Sequence, residues 1–458
     1  MSTVATPSAA VAAQSADLEL ILALMGGTRA MREAGEKYLP RWPAEDLKAH
    51  RDRVDSAVLF PAYARTVSTL ASKPFSRAIT IGDDTPDKIR EWSENIDMQG
   101  LNLHVFAAEA FAHAMAEGLC GILVDYPRAD GVRTRADEIR ANLRPYFVMV
   151  RKSQILGWRA RKTDGGMSLS QLRIMETVTE YDGPFGEREI QQVRVLEPGR
   201  WQTWRRPDKG GDWAVHEEGA TSLPYVPFVP IYGKRVGFML GDPPLMHLAH
   251  MNVQHWQDSS DQQRSVRFAR VRIAAIVGAD PDTELTIGAD YFLRLPPSAS
   301  IQIAQGSAES VKIGRDELVA LEEQMRQAGA EMLVIRPGQV TATQVSTENA
   351  VGMSVLQEIA GQCEDAIDAA LQVLADWAGL GEGGHVKLFD DYGAASLSDA
   401  SAQILLTAKT AGVVSNDTVI EEFKRRGILS ADVDAEDERE RVASQGPDVD
   451  GLSGADGQ

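Results

Sequence analysis

The sequence predicts an α+β fold, with helical segments on either side of a β-rich middle. Three observations predict it. Apolar residues recur at steps of three and four through much of 17–117 and again from 243 onward. Between them, 119–232 reads as short β runs punctuated by Gly and Pro. Met353 to Trp377 is apolar on most of its faces, through Val355, Leu356, Ile359, Cys363, Ile367, Leu371, Leu374 and Trp377. That pattern marks one long helix, expected to be the most buried in the chain.

In chain order, residues 1–16 are small and polar, the composition of a disordered terminus. Asp17 can cap a short helix, LELILALM, stopped by Gly26 and Gly27. TRAMREAGEKYL is a second helix, ended by Pro40, and AEDLKAHRDRVDSAVLF a third. AYARTVSTLASKPF continues as helix after Pro61. RAITIG is a short strand, and a helix begins over Asp87 to Trp92. LNLHVFAAEAFAHAMAEG is amphipathic, with Leu103, Phe106, Ala110, Phe111 and Met115 on one side. It runs at Gly118 into LCGILVDYP, a strand with little alternation, expected to be buried on both faces. RPYFVMV follows as a strand. QLRIMETVTEYD and IQQVRVLE, around Gly183 and Pro184, form a hairpin that WQTWRR extends. VPFVPIYG carries Pro227 and Pro230, so it fits only a sheet edge.

Pro243 to Leu380 is the stretch around which the rest is organised. Pro243 and Pro244 suit a helix start. Leu245, Leu248 and Trp256 recur at helical spacing, and the helix turns basic at its end: Arg264, Arg267, Arg270, Arg272. RIAAIVGADPDTEL, YFLRL and SIQIA are short β runs. A second helix opens near Asp316, with Leu318, Leu321, Met325 and Met332 in a narrow seam suited to a neighbouring helix. Residues 335–352 have no period and carry Pro337, Gly338 and Gly352, so they read as a long loop. After the long helix, Gly379 to Gly384 breaks the chain and HVKLF is a strand. Ser398–Ala411 and Thr418–Arg426 are helices. An acidic, Gly/Ser-rich tail follows.

The chain has 458 residues, 43% hydrophobic and 25% charged, values ordinary for a globular protein with a large core. Its formal net charge of −19 argues against gripping nucleic acid by phosphate neutralisation. It is compatible with letting DNA slide past. No apolar run reaches the roughly 18 residues that span a bilayer, and the N-terminus lacks a basic signal-peptide region. Cys120 and Cys363 read as reduced core residues, which suits synthesis in a cytoplasm.

No GxxxxGK[ST], HExxH, CxxC pair or GxSxG occurs, and no catalytic residue, metal site or cofactor is expected. Gly379, Gly381 and Gly384 match GxGxxG, but they end a helix, whereas a dinucleotide site opens one. His247, His250 and His255 lie on one helix without a carboxylate to complete a metal site, so helix packing is the simpler reading. Asp258 and Asp261 could do acid–base work. Ion pairing on a helix face is commoner. Arg264, Arg267 and Arg270 could meet phosphate, or acidic residues of another subunit.

The order of parts resembles the portal proteins of tailed bacteriophages. The lines EKYLPRWPAED, VLFPAYARTVSTLASKPF, GLCGILVDYP, RPYFVMVRKSQILGW, VPFVPIYG and PPLMHLAHMNVQHWQDSSDQ resemble one portal-like subgroup long described only as a domain of unknown function. The resemblance covers about residues 20–440. It implies a phage portal fold: a wing over 17–242, stem helices at 243–270 and 315–334, a small clip at 271–314 and a channel loop at 335–352. A long wing helix at 353–380, a wing strand within 381–396, a short helical crown at 397–442 and a disordered tail at 443–458 complete it. It further implies a homo-oligomeric ring, usually of twelve subunits, at the capsid vertex of the virion, made in the bacterial cytoplasm. Double-stranded DNA passes through it, driven by the large terminase. The major capsid or scaffolding protein and a head-completion adaptor are the other partners. Arg336, Gln339, Thr341, Thr343 and Gln344 are then the channel-loop contacts. Arg264, Arg267 and Arg270 are stem-to-clip candidates, and Leu318, Leu321, Met325 and Met332 are subunit-interface candidates. Two rivals stand beside this reading: a head–tail adaptor ring, and a hydrolase built on Asp258 and Asp261.

Overall fold

The computed structural model describes residues 2–127, 143–163, 165–207, 210–271, 273–277, 300–304, 306–334 and 353–392, with a few single positions beyond. The chain divides into two compact units, Met1–Leu388 and Phe389–Gln458. The first is α+β. The crown and tail expectations fall almost wholly outside the described residues, as do the channel loop and most of the clip.

Helices α1 (Ala9–Ala13), α2 (Ser15–Met25), α3 (Gly27–Ala34), α4 (Leu47–Ser56) and α5 (Ala62–Ala71) lead the chain. Strand β1 (Thr80–Ile81), α6 (Asp87–Ser93) and α7 (Leu103–Glu117) follow. Helix α4 stops at Ser56, short of the expected Phe60, and Asp46 caps it by accepting from the Lys48 and Ala49 amides. Residues 2–14, expected to be disordered, are ordered. The Ser8 amide donates to the Leu156 carbonyl at 2.8 Å, and Arg173 donates to the carbonyls of Val4 and Thr6. Backbone pairing with distant residues gives this polar segment the partners that its own composition lacks.

Gly118 ends α7 in the left-handed region, at φ 87°. A Cβ there would lie 2.4 Å from the Asp242 carbonyl carbon, so glycine permits both the turn and a close backbone approach. The turn leads into β2 (Leu119–Asp125), the centre of a three-stranded antiparallel sheet with β3 (Tyr146–Arg151) on one side and β9 (Phe228–Tyr232) on the other. The expected burial of β2 on both faces is observed from Leu119 to Val124, and β9 is an edge strand, as Pro230 requires. Helix α7 packs on this sheet, where Phe106 meets Phe147 with ring centroids 5.7 Å apart.

The second sheet is a five-stranded antiparallel meander: β4 (Ile155–Thr163), β5 (Gly166–Asp182), β6 (Gly186–Glu197), β7 (Arg200–Arg205) and β8 (Ala214–Ala220). The expected hairpin is β5–β6, turning at Gly183, φ 70°. Leu172, Ile174 and Leu196 share a core with Leu119, Leu123 and Phe228 of the first sheet. A ribbon of β10 (Lys234–Gly237) and β11 (Leu240–Asp242) then delivers the chain to α8 (Met246–Arg270).

Helix α8 is followed by an antiparallel ribbon of β12 (Ile273–Val277) and β13 (Ser300–Ala304), and then by α9 (Ala308–Ala330), which closes in a 3-10 turn at Glu331–Leu333. This helix, expected over 315–334, thus opens at Ala308, because Ser307 caps it by accepting from the Ser310 amide. Residues 308–314, expected to lie before this helix, belong to it.

Helix α10 (Val355–Ala378) starts in a capping box of Ser354 and Gln357 and ends at Gly379 in the left-handed region. It buries eleven of its 24 residues, more than any other described helix, although the shorter α7 buries nine of 15. Strand β14 (Val386–Lys387) pairs with β1. Glu364 and Asp368 of α10 accept from the Leu388 and Val386 amides, each at 2.7 Å, and so fasten that short strand.

Candidate functional site

Helices α8 and α9 form an antiparallel hairpin. His255 Nε2 lies 3.4 Å from Glu322, Gln262 donates to the Val311 carbonyl at 2.6 Å, and Gly306 closes on the Phe268 ring. The lower half of the hairpin is rooted in the protein. Asn252, fully buried, accepts from the Tyr63 amide at 2.9 Å and donates to the Phe60 carbonyl at 2.8 Å. It thereby satisfies the Tyr63 amide, which has no helix partner in the first turn of α5, and gives the Phe60 carbonyl a second donor beside the Ala62 amide. Trp256 is fully buried, and the His255 ring lies tilted against Phe60, centroids 5.1 Å apart.

The root ends in a charged clamp. Glu45 takes two hydrogen bonds from Arg53, at 2.8 and 2.9 Å, and one from Arg264 at 2.8 Å. Both guanidinium groups lie 4.7 Å from the centre of the Trp42 ring. The Arg53 hydrogen bonds hold Glu45 below the usual carboxylate range despite its burial. Asp261 lies 3.5 Å from Arg53, and burial pushes its carboxyl up.

Beyond the clamp the hairpin changes character. Ser260 is the last buried residue of α8, and no residue of α9 before Leu321 is buried. Residues 261–270 and 308–320 therefore make an arm, about 15 Å long on the α8 side at 1.5 Å per residue. Asp261 and Arg264 reach back to the clamp; apart from them, its two helices touch each other and are otherwise uncovered. Phe268, Ile313 and Val319 are exposed apolar residues on it, and Val277 lies exposed in the ribbon that joins its helices.

Several site expectations change. Leu321, Met325 and Met332 are buried within the chain itself, and Leu318 is half-buried. The Leu318–Met332 seam faces α8 and α5, since a Cβ on Gly329 would lie 2.8 Å from Thr66. It is a contact of the subunit's own core, because the helix sinks among its own neighbours there. Arg264 is likewise committed to Glu45 and Trp42 of the same chain rather than to phosphate. Arg267 and Arg270 are exposed on the arm, where they line a cavity of about 260 Å³ with Ser259, Gln262, Gln263 and Val266. Arg336, Gln339, Thr341, Thr343 and Gln344 lie outside the described residues.

The remaining candidates have structural partners or none. His247 and His250 are exposed. Among the described residues no group of three His, Cys, Asp or Glu could hold a metal, and no helix is long and apolar enough to cross a membrane. Cys120 and Cys363 are free and buried. A cavity of about 500 Å³ lies between the two sheets, lined by Asp125, Tyr146, Arg194, Trp201, Thr203 and Trp377. Its charges neutralise one another: Arg194 pairs with Asp125 at 2.6 Å and with Glu176 at 2.7 Å. Sequence reasoning missed the Glu45 clamp and the bare half of the arm. The signal for the second was the loss of apolar residues from α8 after Trp256.

Residues 244–378, the arm and the long helix with the segment between them, match a family described as "Domain of unknown function (DUF4055)". No curated protein matches the chain. Among solved structures, the chain is similar to one titled "Virion of native gene transfer agent (GTA) particle", at 12% identity and TM-score 0.40, covering 88% of this chain and 99% of that one. It is similar to a chain of "Neck of empty GTA particle computed with C6 symmetry", at 13% identity and TM-score 0.42, covering 88% and 98%. A third is "Neck of native GTA particle computed with C12 symmetry", at 12% identity and TM-score 0.39, covering 87% and 99%. These three structures are of a gene transfer agent virion and of the necks of such particles.

Proposed function

We propose that the chain is the subunit of a portal ring, the channel through which double-stranded DNA enters and leaves a phage-like capsid. The observation that carries this reading is the bare arm. Two helices that bury nothing beyond Ser260 and before Leu321 cannot hold their exposed apolar residues out of water alone. A ring supplies each arm with two neighbours. The element order supports the same reading: rooted helix, β-ribbon, return helix, connecting segment, long buried helix.

On this reading the segment 335–352 is the channel loop, and Arg336, Gln339, Thr341, Thr343 and Gln344 face the DNA. Arg336 and Glu348 are its only charges, so it touches DNA without holding it. The net charge of −19 repels phosphate and lowers friction along the tunnel. The terminase, an adaptor and the capsid or scaffolding protein are the partners, and the chain acts as a conduit rather than as an enzyme.

Native mass measurement followed by negative-stain imaging tests this. The expected species holds about twelve copies of the 49.9 kDa chain around a central hole. A chain that forms no ring, alone or with capsid components, overturns the reading. Deleting 338–350 should leave rings intact and impair DNA packaging or retention. Loss of the ring on that deletion overturns the channel-loop assignment.

A further inference from the structure

The arm carries opposite charge on its two flanks. Its helices face each other through Gln262 of α8 and through Val311 and Gly314 of α9, and helical spacing puts Val266 and Leu318 on the same two faces. The next residue after each facing position turns about 100° round its helix. In an antiparallel pair of right-handed helices, that turn reaches the same side of both. One flank of the arm therefore gathers Arg267 and Arg270 with Lys312 and Arg315, and Val319 sits among them. The other flank gathers Phe268 and Ile313 with Glu317, and Glu309 and Asp316 continue it round the back of α9. All of these residues are exposed, and none of the charged ones has an ion-pair partner among the described residues. The basic flank is also the concave one: the cavity of about 260 Å³ opens there, between Ser259 and Arg270.

We propose that the basic flank of one arm receives the acidic flank of the arm on the next copy of this chain. The occupant follows from the arm itself. A head-to-tail contact needs two different and complementary patches on every subunit, and one helical hairpin supplies both. Each patch brings exposed apolar side chains, Val319 on one and Ile313 with Phe268 on the other, so the contact buries apolar surface beneath a rim of charge. Charge complementarity also fixes polarity. Two basic flanks repel one another, so copies cannot associate face to face and must run in one direction round the assembly. The inference shares with the portal reading only the choice of a second copy as occupant.

The test uses two full-length variants, Arg267→Glu/Arg270→Glu/Lys312→Glu/Arg315→Glu and Glu309→Lys/Asp316→Lys/Glu317→Lys. All of these positions are exposed, so circular dichroism and thermal unfolding should match the wild type. By sedimentation at low salt, the wild type should associate, and its association should weaken as salt rises. Each variant alone should lose the high-mass species, because one then carries two acidic flanks and the other two basic ones. Mixed in equal amounts, they should regain it, with the copies alternating. Failure of the mixture to associate, association of either variant at wild-type strength, or a wild type that stays monomeric at low salt and high concentration each overturns the proposal. Loss in the first variant alone means that the basic flank meets some other acidic surface, and this overturns it too. Recovery in the mixture without a closed ring in images would sustain the docking surface and count against the portal reading alone.

Discussion

Glu45 decides how firmly the arm is rooted. Its side chain is wholly inaccessible, and its oxygens accept from Arg53, Arg264 and the Trp42 amide. The two ion pairs differ in weight. Arg53 is 6% exposed and also donates to the Pro40 carbonyl, whereas Arg264 is 47% exposed and screened by solvent. Glu45→Gln should therefore cost about 3 kcal/mol, chiefly by leaving the Arg53 charge half-paired in a buried site. The pH dependence has a definite sign. Arg53 depresses the Glu45 carboxyl, so its contribution is complete above the unfolded carboxylate value and is lost as pH falls through the folded one. Urea denaturation of wild type and variant should show a gap at pH 7 that narrows as pH falls below about 4. A gap that persists undiminished in acid would assign the loss to packing on Trp42 instead. Nothing in the sequence announces this cluster, because Glu45 and Arg264 are 219 positions apart and each looks like an ordinary surface charge.

At the scale of elements, legibility followed the range of the forces. Helix α10 was readable because its apolar residues recur within one segment, and β2 and β9 because burial and proline placement are local signals. Residues 2–14 were misread because their order comes from Leu156 and Arg173, far along the chain. The α9 seam was readable as a seam, but spacing alone does not say whose surface it meets. A helix stripe looks the same whether its partner is α8 of the same chain or a neighbour. Burial of Leu321 and Met325 at 7% and 2% exposure decides for the former. Leu321→Asp with Met325→Asp should accordingly damage the subunit itself. Two carboxylates with no cationic partner would enter its core, each costing about 4 kcal/mol or more if it stays charged. Thermal unfolding should shift down sharply before any question of assembly arises. A variant with wild-type melting that merely fails to associate would return the seam to the subunit interface.

Across the whole molecule, the hairpin joins a part that is folded by its own chain to a part that is not. Below Ser260 and beyond Leu321, α8 and α9 share the core of the unit that holds both sheets. Apart from Asp261 and Arg264 at the clamp, residues 261–270 and 308–320 have each other and water. A helical segment without a buried face opens at little cost, whereas one packed in a core opens only with the rest of the fold. Amide exchange of the dissociated chain should therefore divide α8 into two stretches. Amides around Asn252 and Trp256 should be slow, near the rate set by global unfolding, and those of 262–270 should be faster by orders of magnitude. On assembly the fast stretch should slow, and 308–320 with it, because the flanks then lie against a neighbour. The Glu45 clamp marks where the break should fall, since it holds α8 at Arg264, one turn past the last buried residue. Uniform slow exchange along α8 in the monomer would mean that the arm is stable by itself. The arm would then need no neighbours, and a ring would need another basis.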